Sequence, residues 1–175
     1  MQNKEQEDAY VRLARKTIEE YACTGKQIDI PQGLPEEMYT DRAGVFVSIK
    51  KDGMLRGCIG TIRATCPSIA EEIVCNAVSA STKDPRFSPI GKDELNDLTI
   101  SVDVLGNMEE IASADQLDVK RYGVVVTKGY RRGLLLPNLE GVDTVEDQIA
   151  IAKQKAGIGL MEEVQMQRFE VIRHF

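Results

Sequence analysis

V-F-V-S-I-K-K-D-G-M-L-R-G-C-I-G-T-I, residues 45–62, is the stretch on which the fold turns. Val45, Val47 and Ile49 recur at every second residue, the period of a strand with one buried face. Asp52-Gly53 is a strong two-residue hairpin signal. M-L-R-G-C-I-G-T-I-R, residues 54–63, then returns antiparallel to the first arm. Counting by two, Leu55, Gly57, Ile59 and Thr61 share one face. Arg56, Cys58, Gly60 and Ile62 share the other, unless a bulge intervenes. Two glycines, 57 and 60, weaken a strand and give it nothing to pack. Either something comes close to this backbone or the strand bends here.

Outward from the hairpin, the period changes to that of helices. Residues 67–82 carry an apolar stripe from Ile69 through Ile73 to Ala80. Its start can be read two ways: Cys66 as cap with Pro67 at the first helical position, or Ser68 and Glu71 as a capping box. Cys75 falls within the helix and reads as core. Upstream, residues 7–21 form an amphipathic helix stopped near Gly25, and residues 29–41 are a Pro- and Gly-bearing connector. Downstream, K-D-P-R-F-S-P (83–89) is a stiff loop and L-T-I-S-V-D-V-L (98–105) an alternating strand. A polar segment follows, with a short helical turn near Ser113–Leu117. Y-G-V-V-V-T-K (122–128) leads through G-Y-R-R-G into L-L-L-P (134–137), a second hairpin with Arg131 and Arg132 at its tip. A helix spans 145–156, and Q-R-F-E-V-I-R (167–173) closes as one strand. Hairpins mixed with separate helices predict an α+β fold with a largely antiparallel sheet.

The 175 residues suit one domain able to bury its own core. No apolar run is long enough to span a membrane, and the polar N-terminus is not a signal peptide, so a cytoplasmic protein is expected. A net charge of −6 and 5% aromatic residues argue against nucleic-acid binding. The four cysteines, 23, 58, 66 and 75, show no C-x-x-C spacing, and His174 is the lone histidine. No metal site and no cofactor follow from that pattern.

Cys58 is either a small buried hydrophobe or a reactive thiol. Arg56 on its face would favour the thiolate, and Gly57 and Gly60 would lower the walls around it and open backbone groups to a substrate. Its usual partner, a histidine base, is remote in sequence. In the stiff loop, Asp84 and Arg86 pair with each other, or Asp84 carries a proton and Arg86 recognises an anion. Arg132 is a further anion-binding candidate. Arginines from these separate segments form one positive cleft if the fold gathers them.

In order along the chain, L-R-G-C-I-G (55–60), D-P-R-F (84–87), L-T-I-S-V-D-V-L and R-R-G-L-L-L-P (131–137) resemble the AMMECR domain family, protein A of the AmmeMemoRadiSam system. The resemblance covers residue 7 to the end. It implies a larger and a smaller lobe with the Arg-Gly-Cys motif lining a groove between them. It also implies work alongside a Memo-like protein and a radical S-adenosylmethionine enzyme, in some relatives as a fused chain. Where relatives have a tryptophan-containing segment after the third block, this chain reads N-L-E-G-V and has no tryptophan. Two functions follow as expectations. One is an enzyme using Cys58, Arg56 and Asp84, with Gly57, Gly60, Arg86 and Arg132 holding a small anionic substrate. The other is a non-catalytic module binding a metabolite, peptide or partner.

Overall fold

The computed structural model describes residues 4–175, so the first three residues of the polar N-terminus lie outside the described residues. The chain divides into two compact units. One runs up to Leu105 and regains Ile172–Phe175; the other is Gly106–Val171.

In the first unit, α1 (Ala9–Thr24) is capped by Asp8, whose carboxylate accepts the Tyr10 and Val11 N–H groups, and ends at Gly25 with φ +70°. The connector is ordered and includes a short helix, α2 (Glu36–Thr40); Met38 anchors it in the core. β1 (Val45–Lys51) and β2 (Met54–Gly60) form the expected hairpin. Asp52 and Gly53 both have positive φ, 51° and 76°, which matches the right-handed twist of the two arms. α3 (Ile69–Thr82) settles the capping question: Ser68 is the cap, its hydroxyl accepting the Glu71 N–H at 3.2 Å. β3 (Leu98–Leu105) follows a 3-10 stretch at Lys92–Asp97. The sheet order is β2-β1-β3-β8, where β8 is Val171–His174.

Val45, Val47 and Ile49 are fully buried on the face packed by α3, joined across the sheet by Ile100 and Val102 of β3, which meets α1. The helices thus cover the face that the alternation assigned to the core.

The second unit holds β4 (Glu109–Ile111), β5 (Gly123–Lys128), β6 (Arg131–Leu135), α4 (Val145–Lys155) and β7 (Gln165–Phe169). Its sheet order is β4-β7-β5-β6, with α4 packed on β5 and β6. The turn of the β5–β6 hairpin is Gly129-Tyr130. Arg131 and Arg132 lie within β6, opposite Lys128 and Thr127, and not at the tip. The stretch read as one terminal strand is two: β7 belongs to the second sheet and β8 to the first.

Both units use glycine in the same way. A Cβ at Gly57 would lie 2.2 Å from the Ala80 carbonyl oxygen of α3, and one at Gly133 2.0 Å from the Ala152 carbonyl of α4. In each, a helix backbone rests directly on a strand, which only glycine permits.

Candidate functional site

The hairpin register is where the site is made. A two-residue turn pairs Lys51 with Met54 and Lys50 with Leu55. Continued regularly, it would set Arg56 opposite Ile49 and Cys58 opposite Val47, placing an arginine on the apolar face. The strand avoids this with a bulge: Ile49 pairs with Gly57, Ser48 with Cys58 and Val47 with Ile59, leaving Arg56 as the extra residue. A one-residue slip exchanges the two faces of a strand. Gly57 and Ile59 therefore face the helices, and Cys58 faces away from them, in a row with Ser48 and Ser101.

The two glycines serve both demands: the strand is bulged, and the close approach to its backbone comes from the chain itself. Gly57 makes room for Ala80 of α3. Gly60 lies under the ring of Phe46, its cross-strand partner, with a Cβ position only 2.2 Å from Cγ.

Cys58 is half-buried, its sulfur 3.3 Å from the Ser48 hydroxyl. β2 is an edge strand, and edge strands present unpaired backbone groups. Here the outward N–H of Cys58 donates to Asp84 Oδ2 at 3.0 Å. The Asp84 side chain, 2% exposed, also accepts the Arg86 backbone N–H at 3.1 Å and two guanidinium N–H groups at 3.1 and 2.9 Å. Arg86 thereby holds the Asp84 carboxyl down to about 2, outweighing burial, with the Cys58 and Arg86 backbone N–H groups adding to the effect. The Arg86 side chain is 53% exposed and lies over the Phe87 ring at 5.5 Å. Its own pKa is raised, first by the bond to Asp84 and in smaller part by the nearby charge of Cys58. The D-P-R-F block thus delivers a carboxylate and a guanidinium to the strand edge that carries Cys58.

The other expected site residues are placed differently. The bulge turns Arg56 to Glu94, which it meets with two bonds of 3.0 Å, and its guanidinium also donates to the Ser88 carbonyl at 2.8 Å. It braces the loop after Asp84, and Cys58's charged neighbour is Arg86. Arg132 lies exposed on β6 in the second unit. His174 is on β8, at the opposite edge of the sheet from β2. There it stacks on Tyr10 and meets Asp8 at 2.6 Å. Cys75 is exposed, not core. Ser48 and Glu94 were not singled out from sequence. Ser48 sits in the strand opposite the motif, but the bulge hides which residue it faces.

Glu94, like Asp84, is held at about 2, by Arg56 first and then by the Gly91 N–H. Unfolded, these groups return to 4.5 and 3.8. As pH falls from about 4.5 to 2 the unfolded chain binds more protons, so their stabilisation is present above that window and lost within it. Asp103, raised by burial despite Arg173, works in the opposite direction. The clean readout is therefore a difference: Glu94→Gln should narrow the gap between urea midpoints at pH 6 and pH 3. An unchanged gap would remove Glu94 as a source of acid sensitivity.

The site is a bulged edge hairpin that carries the half-buried Cys58 beside an aspartate–arginine pair in an α+β unit. The chain belongs to the AMMECR1 family, whose model matches residues 11–174. It is 51% identical to a protein of Thermotoga maritima over 170 residues, 96% of this chain and 98% of that one. To a protein of Clostridium acetobutylicum it is 52% identical over 172 residues, but spans only 36% of that protein's length. The crystal structure of an uncharacterised protein from Pyrococcus horikoshii matches with a TM-score of 0.87 at 34% identity, covering 98% of this chain and 91% of that one. Among the described residues, no helix is long and apolar enough to cross a membrane.

Proposed function

We propose that the chain is an AMMECR1-family enzyme in which Cys58 acts as a nucleophilic or redox thiol on a small anionic substrate. The observation that carries this reading is the half-buried Cys58, its sulfur 3.3 Å from the Ser48 hydroxyl, on the strand edge gripped by Asp84. A thiolate there can accept a hydrogen bond from Ser48 and gains from the positive charge of Arg86. The outer edge of the Arg86 guanidinium meets the anion. Asp84, a carboxylate throughout the neutral range, positions Cys58 and Arg86, and the thiol proton leaves by another route. Arg56 positions the loop through Glu94. The protein works in the cytoplasm beside a Memo-like protein and a radical S-adenosylmethionine enzyme, as the family resemblance implies. The Clostridium relative, nearly three times as long, supports work alongside further domains.

The test is site-resolved alkylation. With iodoacetamide near neutral pH, Cys58 should react faster than the exposed Cys23, and Arg86→Gln should slow it. Labelling of Cys58 no faster than that of Cys23 counts against a reactive thiol.

One observation favours the second reading, a binding module. Asp84 already accepts from three N–H donors besides its bond to Cys58, and at about 2 it is too weak a base to activate a thiol. Cys58→Ser separates the two. Under the module reading, that variant keeps both partner binding and pathway output. Lost output with binding intact leaves the enzyme.

A further inference from the structure

Two other cysteines meet away from Cys58. Cys66 lies on the segment leading into α3, and Cys75 on the second turn of that helix. Their sulfurs are 3.7 Å apart. Cys75 is exposed and Cys66 half-buried. The segment bearing Cys66 is held from both sides. Its N–H donates to Glu72 Oε2 at 2.8 Å, and its carbonyl accepts from Arg42 Nε at 3.0 Å. Glu72 is buried and also accepts the Thr61 hydroxyl at 2.6 Å and the Thr65 N–H at 3.0 Å. Burial pushes the Glu72 carboxyl up, but the hydrogen bonds from Cys66, Thr61 and Thr65 outweigh it and hold it below the ordinary range. One carboxylate on α3 therefore fixes the whole run from Thr61 to Cys66, directly after the L-R-G-C-I-G strand, and the sulfur contact is part of that arrangement.

We propose that Cys66 and Cys75 are a reversible dithiol–disulfide site, oxidised by peroxide, that staples the segment following β2 to α3. A disulfide has S–S of about 2.05 Å, so the sulfurs must close by about 1.7 Å, within reach of side-chain rotation at the exposed Cys75.

The two cysteines have distinct parts. Cys66 keeps its proton, because burial and the neighbouring Glu72 carboxylate push its thiol up to about 12. Cys75 is the sulfur that peroxide reaches. Its thiolate attacks one peroxide oxygen, the O–O bond breaks, and hydroxide leaves to take up the proton that Cys75 gave, forming water. Cys75 is then a sulfenic acid. The Cys66 sulfur attacks the Cys75 sulfur, the S–O bond breaks and the S–S bond forms. The departing hydroxide takes the Cys66 proton as a second water. Two thiols lose two electrons and one peroxide becomes two waters. A thiol reductant reverses the step by exchange. Such a pair suits a reducing compartment, where protein disulfides are transient sensors.

The experiment treats the full chain with hydrogen peroxide at neutral pH, blocks remaining thiols, and maps peptides without reduction. Expected are a cross-link joining Cys66 to Cys75, loss of those two thiols in step with it, and their return with dithiothreitol. The cross-link should form faster in the folded chain than in urea. The stapled form should melt about 4–8 °C higher. Cys66→Ser should leave Cys75 as a trappable sulfenic acid, detected with dimedone. Peroxide that leaves both cysteines free, links a different pair, or oxidises Cys75 in the native chain without a cross-link would overturn the proposal. So would a cross-link that forms equally fast in urea.

Discussion

Gly57→Ala should lower the melting temperature of the protein by about 6–12 °C, the equivalent of about 3 kcal/mol. The new methyl would sit 2.2 Å from the Ala80 carbonyl oxygen and 3.3 Å from its carbon. Both atoms are backbone near the C-terminal end of α3, so no side-chain rotation relieves the clash. Relief means lifting the helix from β2, and the interior has no slack to absorb that. Gly60→Ala is the informative companion. Its obstacle is the ring of Phe46 at 2.2 Å, which can swing about its own torsions, so the loss should be smaller. Thermal melts of the two variants beside the parent give the ordering. A Gly57→Ala protein as stable as the parent, or less affected than Gly60→Ala, would show that the strand tolerates a side chain there.

The second large effect is expected at Asp84. Asp84→Ala should cost about 2–4 kcal/mol, because it strands the outward N–H of Cys58 and unpairs Arg86. The guanidinium, 53% exposed, can recover water, so most of the loss comes from the strand edge. Asp84→Asn should fall between, since an amide oxygen still accepts from the Cys58 N–H but no longer pairs with a charge. Urea midpoints measure the stability. Hydrogen exchange at the Cys58 amide reads the mechanism, with protection lost in the alanine variant and kept in the asparagine variant. An Asp84→Ala chain that keeps Cys58 amide protection would mean that the carboxylate does not hold the edge.

The fold was legible where one residue type carries one geometric demand. Asp52-Gly53 supplied the positive φ pair of the turn, and Val45, Val47 and Ile49 marked the buried face of β1. Ser68 with Glu71 was one of two readings for the start of α3, and local sequence could not separate it from Cys66 with Pro67.

The site was less legible, because its geometry depends on register and on partners far along the chain. Strict alternation from Leu55 to Ile62 put Arg56 beside Cys58. The bulge at Arg56 breaks that count and sends its side chain to Glu94, 38 residues later. Asp84 and Arg86 were visible as a pair, but that their carboxylate would reach the Cys58 backbone was not, since nothing local to either segment encodes it. Cys75 was read as core because cysteine resembles an apolar residue, while the helix turns that position outward. In Q-R-F-E-V-I-R the alternation runs on through Glu170, and hydrophobic pattern alone does not reveal that the chain changes sheets there.

The path of the backbone between its two compact units bears on the order of events at the ribosome. The first sheet lacks its fourth strand until Val171–His174 is made, and the Asp8 N–H waits for the carbonyl of Phe175. Gly106–Val171 is continuous. The portion translated later can therefore be completed first, while the earlier one, with Cys58 on its edge hairpin, stays unfinished until residues 172–175 have also emerged from the exit tunnel.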